Sequence, residues 1–268
     1  CRIKFNLCSG RAKAQRKHGL IGEAMSVINR IRSLIGQKES KCTAVILAAG
    51  SSQRMGKDKI LMDLGGAPVI AYTLMAFQNS EVIDDIVVVT RSERIQRLAD
   101  ICSSYGITKA TRVVCGGSTR AESAYIGVCN ADKDSTLIAI HDGARPFPSA
   151  SLIERIVSSA RQNGAAAPAV SATDTVRILN KKGQVTATPD RELVVLMQTP
   201  QVFDADLIKG ALTKVIDKAM PVTDDCSAVE AVGFKVTVVE GERNNIKLTT
   251  VHDIYAAEKI LADRGMLM

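Results

Sequence analysis

Thr43-Ala-Val-Ile-Leu-Ala-Ala-Gly-Ser-Ser-Gln-Arg-Met-Gly56 sets a short apolar run directly before a loop of small residues that carries one arginine. The run is far shorter than the roughly 18 to 20 residues that span a bilayer, and it has the length and composition of a buried parallel strand. The small side chains behind it let backbone amides approach a phosphate. Arg54 and, farther on, Lys59 are cations suited to the charge that builds up when phosphorus is attacked. The loop is not a Walker motif, which requires Gly-Lys-Ser/Thr after a four-residue gap. Taken alone, it reads equally as a phosphate cradle or as a plain strand-to-helix turn.

Outward from this stretch, strand-like runs at Thr43–Leu47, Ile86–Val89, Thr111–Val114, Thr136–Ile140, Ala166–Val170 and Lys235–Val239 alternate with amphipathic stretches. The latter fall at Val69–Gln78, Glu93–Tyr105, Arg120–Asn130, Leu152–Asn163, Ala205–Asp217 and His252–Ala262. That alternation predicts an α/β fold, an open and mostly parallel sheet with helical crossovers. It breaks at Asp174 to Gly183 and Gln184 to Leu196, which read as two strands around a Lys-Gly turn. The expectation is an inserted β-hairpin arm near residues 174–197. Arms of this kind exchange between subunits, so a homodimer is expected as well.

The 268 residues are 46% apolar and 24% charged, the composition of a folded, water-soluble protein of one large domain or two small ones. The net charge of +7 is unevenly placed: residues 1–41 carry 10 basic and 2 acidic groups, while residues 42–268 are net −1. The chain therefore divides into a basic N-terminal extension, residues 1–41, read as loosely ordered or a short helix, and a catalytic-sized domain, residues 42–268. A targeting peptide and a partner-binding helix are the alternatives for the extension. A nucleic-acid module would carry its basic face on the folded domain, so no nucleic-acid partner is expected, and no membrane partner. Seven cysteines without a Cys-x-x-Cys pair point to a reducing, cytoplasmic setting and away from disulfides or a zinc knuckle. His18, His141 and His252 are too scattered for a histidine cage, which leaves a hard cation on oxygen ligands as the metal to expect.

Farther along, Ile140-His-Asp-Gly-Ala-Arg-Pro146 follows a predicted strand, at the edge where open α/β sheets bind ligands. Asp142 there either holds Mg²⁺ against phosphate oxygens or caps the helix expected near Ser149. A third group, Thr175, Arg191, Gln198-Thr-Pro-Gln201, Thr223-Asp-Asp225 and Asn244-Asn-Ile-Lys247, offers hydroxyls and cations that can converge on a second phosphate. Singly, each also reads as a solvated charge or a helix cap.

Taken in order, Leu-Ala-Ala-Gly with Arg54-Met-Gly and Lys59, Gly116-Gly117 with Arg120, His-Asp-Gly-Ala-Arg-Pro, Gln-Thr-Pro-Gln, Thr-Asp-Asp and Asn-Ile-Lys resemble the 2-C-methyl-D-erythritol 4-phosphate cytidylyltransferase family. The resemblance runs from about Thr43 to Leu261. It implies a Rossmann-like fold with helices on both faces of the sheet, and a nucleotidyltransferase that joins CTP to methylerythritol phosphate with Mg²⁺ and releases pyrophosphate. It further implies that Ala48, Ala49 and Gly50 line the nucleotide and that Gly117, Ser118 and Ser123 sit at the cytosine. Arg54 and Lys59 would stabilise the α-phosphorus, with Asp142, the metal ligand, and Lys247 completing the catalytic set. Arg145, Thr175, Arg191, Thr199 and Thr223 would gather around methylerythritol phosphate. Lys57 competes with Lys59 as the catalytic cation, and Lys59 is preferred because it directly precedes Ile60-Leu61. Asp58 stands beside it and could temper its charge. Ser118 occupies a position where the family sometimes has an acid, and the N-terminal segment has no family counterpart. Cytidylyl transfer to another polyol phosphate, such as ribitol 5-phosphate, and a non-catalytic nucleotide-binding subunit are the rival readings.

Overall fold

The computed structural model describes residues 40–50 and 58–265. The basic extension before Ser40, Arg54 and Lys57 lie outside the described residues. In chain order the strands and helices are β1 (Lys41–Leu47), β2 (Asp63–Leu64), β3 (Ala67–Pro68), α1 (Val69–Gln78), β4 (Asp85–Thr90), α2 (Ile95–Ser104), β5 (Ala110–Cys115), α3 (Arg120–Cys129), β6 (Ser135–Asp142), α4 (Ala150–Asn163), β7 (Ala165–Ser171), β8 (Ile178–Leu179), β9 (Val185–Ala187), β10 (Val195–Met197), β11 (Gln201–Asp204), α5 (Ala205–Asp217), α6 (Asp225–Ala231), β12 (Thr237–Glu240) and α7 (Val251–Asp263).

β1 is the middle of the sheet, and its burial explains why Cys42, Ala44, Val45 and Ile46 are apolar and why the one buried polar residue, Thr43, has its hydroxyl hydrogen-bonded to Ser135 and Asp85. Ala44 and Ile46 point into a core shared with α1, α2, α4 and α7, while Val45 points into a second core shared with α3, α5 and α6. Helices therefore cover both faces, as a parallel sheet requires. β1 pairs in parallel with β4 on one edge and β6 on the other, and β4 pairs in parallel with β5. The chain winds outward from β1 through β4 to β5 and then returns to the far side of β1. That reversal between β1 and β6 is a topological switch point, where the carboxyl ends of strands part to leave a crevice.

Beyond β6 the sheet becomes mixed. β11 is antiparallel to β6 and β7, β10 is antiparallel to β7, and β12 is parallel to β7. β10 and β11 run along one edge of β7 as two pieces of a single strand whose register shifts by two residues across Gln198-Thr199-Pro200. That interruption frees the Gln198 and Thr199 side chains from the pleat.

The stretch read as a two-stranded arm is more divided than expected. β8 and β9 form a small antiparallel hairpin closed by the Asn180 to Gln184 turn, with Gly183 at φ +79°. The remainder of the expected second strand is split: a helical turn, Arg191–Leu193, intervenes, and Val195–Met197 rejoins the main sheet through β7. Asp190 caps that turn through the Glu192 amide, which is why the pairing stops there. The helix α6 was not legible in the sequence, being only seven residues long and held by the Asp224 and Ser227 capping box.

Candidate active site

The carboxyl ends of β1, β4, β5 and β6 surround a cavity of about 600 Å³. Leu47 to Gly50 form one wall, Thr90 to Glu93 and Cys115 to Arg120 a second, and Asp142 with Lys247 a third; Lys59 and Ser123 also line it. Its charged lining is four cations, Lys59, Arg91, Arg120 and Lys247, against the carboxylates Glu93 and Asp142. A concave site with an excess of fixed positive charge favours a polyanion.

Asp142, the last residue of β6, is the electrostatic centre. Lys247 Nζ lies 2.7 Å from its Oδ2, Arg120 at 3.6 Å from Oδ1 and Arg145 at 3.8 Å from Oδ2. Burial works against its charge, but Lys247, Arg120 and Arg145 outweigh that cost and hold the carboxyl at about 2. It is a permanent anion at neutral pH. Asp142 does not cap the following helix: Ser149 holds that position, accepting from the Leu152 amide. Arg120 is itself fixed by a two-point contact with the buried Asp225, at 2.9 and 2.7 Å, a geometry peculiar to the planar guanidinium. Gln201 anchors the start of α6 behind it, accepting from the Asp225 and Cys226 amides.

A second tier of buried polar groups holds these charges in place. The Thr199 hydroxyl accepts from the Asp142 amide at 3.2 Å and lies 3.0 Å from His141 Nδ1, while His141 Nε2 lies 3.0 Å from the Arg145 carbonyl. A carbonyl only accepts, so Nε2 carries the proton and Nδ1 receives the Thr199 hydroxyl. Burial keeps His141 neutral, lowering it from 6.5 to about 4. The loop that delivers Lys247 is tied down through Asn245, whose side chain donates to the Thr199 carbonyl at 2.8 Å and whose own carbonyl accepts from Arg145. Gln198 grips the same loop at the Glu242 carbonyl and amide.

Opposite, the turn before α3 needs its glycines. A Cβ on Gly116 would meet Ser123 Oγ at 2.7 Å, and one on Gly117 would run into Glu122. The Glu122 carboxylate folds back on this turn, accepting from the Ser118 amide at 2.7 Å, the Ser118 hydroxyl at 2.5 Å and the Thr119 amide at 3.2 Å. Those bonds, led by the Ser118 hydroxyl, pull its carboxyl below the usual range. Ser123 accepts from the Gly117 amide and donates to the Thr119 carbonyl.

Of the residues expected at the site, Ala48, Ala49, Gly50, Lys59, Gly117, Ser118, Ser123, Asp142 and Lys247 all line the cavity. Arg145 and Thr199 stand behind it, in contact with Asp142 and its support. Thr223 is exposed at the start of α6, and Thr175 and Arg191 are exposed on the arm; none of the three is in the cavity lining. Arg54 falls outside the described residues. Sequence reading missed Arg91, Ser92 and Glu93, which line the cavity, and the buried Arg94 behind them. Their signal was positional: they follow β4 at the same carboxyl edge as Ala48 to Gly50.

Among the described residues, no three His, Cys, Asp or Glu side chains converge as a metal cage. Asp142 is the one site carboxylate that the sequence placed near a metal, and its permanent anionic charge suits a hard cation whose other ligands are substrate phosphates and water. That is how Mg²⁺ is commonly bound beside phosphates.

Residues 42–263 match the family model described as 2-C-methyl-D-erythritol 4-phosphate cytidylyltransferase. A protein of that name from Clostridium botulinum is 38% identical over 224 residues, covering 83% of this chain and 98% of the relative. One from Clostridium novyi is 40% identical over 225 residues, 83% and 97% of the two chains. Among solved structures, the 4-diphosphocytidyl-2C-methyl-D-erythritol synthase of Anaerococcus prevotii superposes with a TM-score of 0.75 at 35% identity, covering 83% of this chain and 96% of that one.

Proposed function

The chain belongs to the 2-C-methyl-D-erythritol 4-phosphate cytidylyltransferase family, and on that premise we propose how its residues carry out the transfer. The reaction moves a cytidylyl group from CTP to 2-C-methyl-D-erythritol 4-phosphate in isoprenoid precursor biosynthesis. A phosphate oxygen of methylerythritol phosphate attacks the α-phosphorus of CTP, the new P–O–P bond forms, and the bond to the β-phosphate breaks, releasing pyrophosphate. The attacking phosphate is largely dianionic at neutral pH, with a second pKa of about 6, so no general base is required. The work left to the protein is to bring two polyanions into line and screen their repulsion.

The observation that carries this reading is one cavity that gathers four motifs lying far apart in the sequence, around an anion, Asp142, already flanked by Lys247 and Arg120. Ala48, Ala49 and Gly50 take the triphosphate, and Gly117, Ser118 and Ser123 take the base. Arg54 and Lys59 stabilise the charge at the α-phosphorus. Asp142 orients Lys247 toward the methylerythritol phosphate, which Arg145, Thr199 and Thr223 help to place. Asp142 would hold Mg²⁺, which would supply neutralisation of phosphate charge there.

The arm supports a homodimer. Ile178, Leu179, Val185, Leu193 and Leu196 are each more than half exposed, an apolar surface suited to burial against a second copy. Thr175 and Arg191 travel with it toward the partner's second-substrate pocket. No helix among the described residues is long and apolar enough to cross a membrane. Cys42, Cys102, Cys115, Cys129 and Cys226 are free thiols, which suits the cytoplasm, where we place the enzyme.

The test is pyrophosphate release from CTP and methylerythritol 4-phosphate with Mg²⁺, beside Arg54→Ala and Asp142→Asn. Turnover by the intact chain that falls on the order of 10²-fold or more in either variant supports the assignment. Turnover of ribitol 5-phosphate with none of methylerythritol phosphate overturns the substrate, and full activity in both variants overturns the site.

A further inference from the structure

Arg94 belongs to none of the motifs that led to this site. It sits in the turn Ser92–Arg94 after β4, is 8% exposed, and sends its guanidinium in two directions. One nitrogen donates to the Ala48 carbonyl at 3.3 Å and another lies 2.6 Å from Asp58 Oδ2. Arg94 thus bridges the start of the small-residue loop to the residue immediately before Lys59. Arg91 reinforces the first of these contacts, donating to the Ala49 carbonyl at 3.1 Å. The other oxygen of Asp58, Oδ1, is buried with no hydrogen-bond partner among the described residues. The Asp58 side chain is 28% exposed, but this oxygen is turned inward, so the charge on that side depends on Arg94 as its cation. The pair borders the cavity in which Lys59 and the triphosphate meet.

We propose that Arg94 is a positioning residue for cytidylyl transfer: by neutralising Asp58 and holding the Ala48 carbonyl, it keeps the nucleotide wall from repelling the triphosphate and presents Lys59 to it. The proposal rests on the reading of this cavity as the CTP site. Two consequences follow. Removing the Arg94 charge leaves the Asp58 carboxylate without its counter-ion, one residue from the cavity-lining Lys59, which harms CTP use and leaves methylerythritol phosphate binding alone. Removing the Asp58 charge as well takes away the source of that harm. The functional cost of losing Arg94 is therefore repaired by neutralising Asp58.

The experiment compares steady-state kinetics of the full chain with R94M and the double variant D58N/R94M, varying CTP and methylerythritol phosphate separately and recording far-ultraviolet circular dichroism and melting temperature. The expected result is a loss in R94M of at least about tenfold in kcat/KM for CTP, with KM for methylerythritol phosphate unmoved, and recovery of most of that loss in D58N/R94M. A pair that only stabilises the fold would shift the melting temperature and leave kcat/KM of the folded enzyme intact. That outcome, or a double variant as slow as R94M, overturns the proposal. If R94M does not fold, R94K takes its place, since it keeps the charge while giving up the fork. CTP turnover near the parent's then supports neutralisation, and a loss of tenfold order overturns it. An intact chain with no turnover at all would count against the function and not against the pair, so the two failures are distinguishable.

Discussion

His141 shows how far a residue's role lies from its motif. In the sequence it is the partner of Asp142 in His-Asp-Gly-Ala-Arg-Pro; in the fold it is fully buried against Phe77 and never reaches the cavity lining. It joins Thr199 to the Arg145 carbonyl and so steadies both Asp142 and Arg145. Its lowered value, about 4 against the usual 6.5, has a definite sign. The folded state resists protonation, so the stabilisation is complete above pH 6.5 and is lost as pH falls from 6.5 toward 4. Denaturant unfolding of the metal-free and substrate-free protein over that range should therefore show a fall of up to about 3 kcal/mol assignable to this ring. His141→Gln should abolish that part of the slope, and identical slopes for parent and variant would refute the assignment.

At the scale of elements, α3 shows why a helix sits where it does. Thr119 and Glu122 form its capping box, legible from their spacing, whereas its closeness to the sheet is not. A Cβ on Gly127 would collide with Val45 and come within 2.9 Å of Val89, so the helix backbone rides directly on β1 and β4. Gly127→Ala gains helix propensity of about 1 kcal/mol but overpacks this contact. We expect a net loss of about 1 to 3 kcal/mol in urea unfolding, and a gain in stability would contradict the packing. α1 and α5 fall on the residues that the apolar spacing predicted, Val69–Gln78 and Ala205–Asp217. The divided arm and the pair β10 and β11 did not: the interruption at Gln198 to Pro200 answers to the distant strand β7, and the one at Asp190 is a local cap on the Glu192 amide, too short to break the strand pattern in the sequence.

For the whole molecule, the proposed homodimer rests on the exposed apolar surface of the arm. Leu193 is 83% exposed and Leu196 58% exposed, and neither has a core to join within one chain. Replacing both by glutamate should convert a dimer to a monomer in analytical ultracentrifugation, with circular dichroism unchanged. Because Thr175 and Arg191 lie on the same arm, the monomer should use methylerythritol phosphate poorly while still binding CTP. A double variant that stays dimeric, or a parent that is monomeric at working concentration, would remove the arm from the interface.

The sequence by itself determined the α/β class, the alternation of strand and helix, and most of the cavity's walls. Short apolar strands and loops of small residues are local patterns, and motifs at the carboxyl ends of strands meet wherever a parallel sheet is wound. Only the tertiary structure decided which charges meet. That Arg120 is gripped by Asp225, that Thr199 serves His141 and the Asp142 amide, and that Arg94 holds Asp58 are pairings across 36 to 105 positions of chain. Such pairings are set by the packing of whole elements and by the need of each buried polar group for a partner, and spacing along the sequence carries neither.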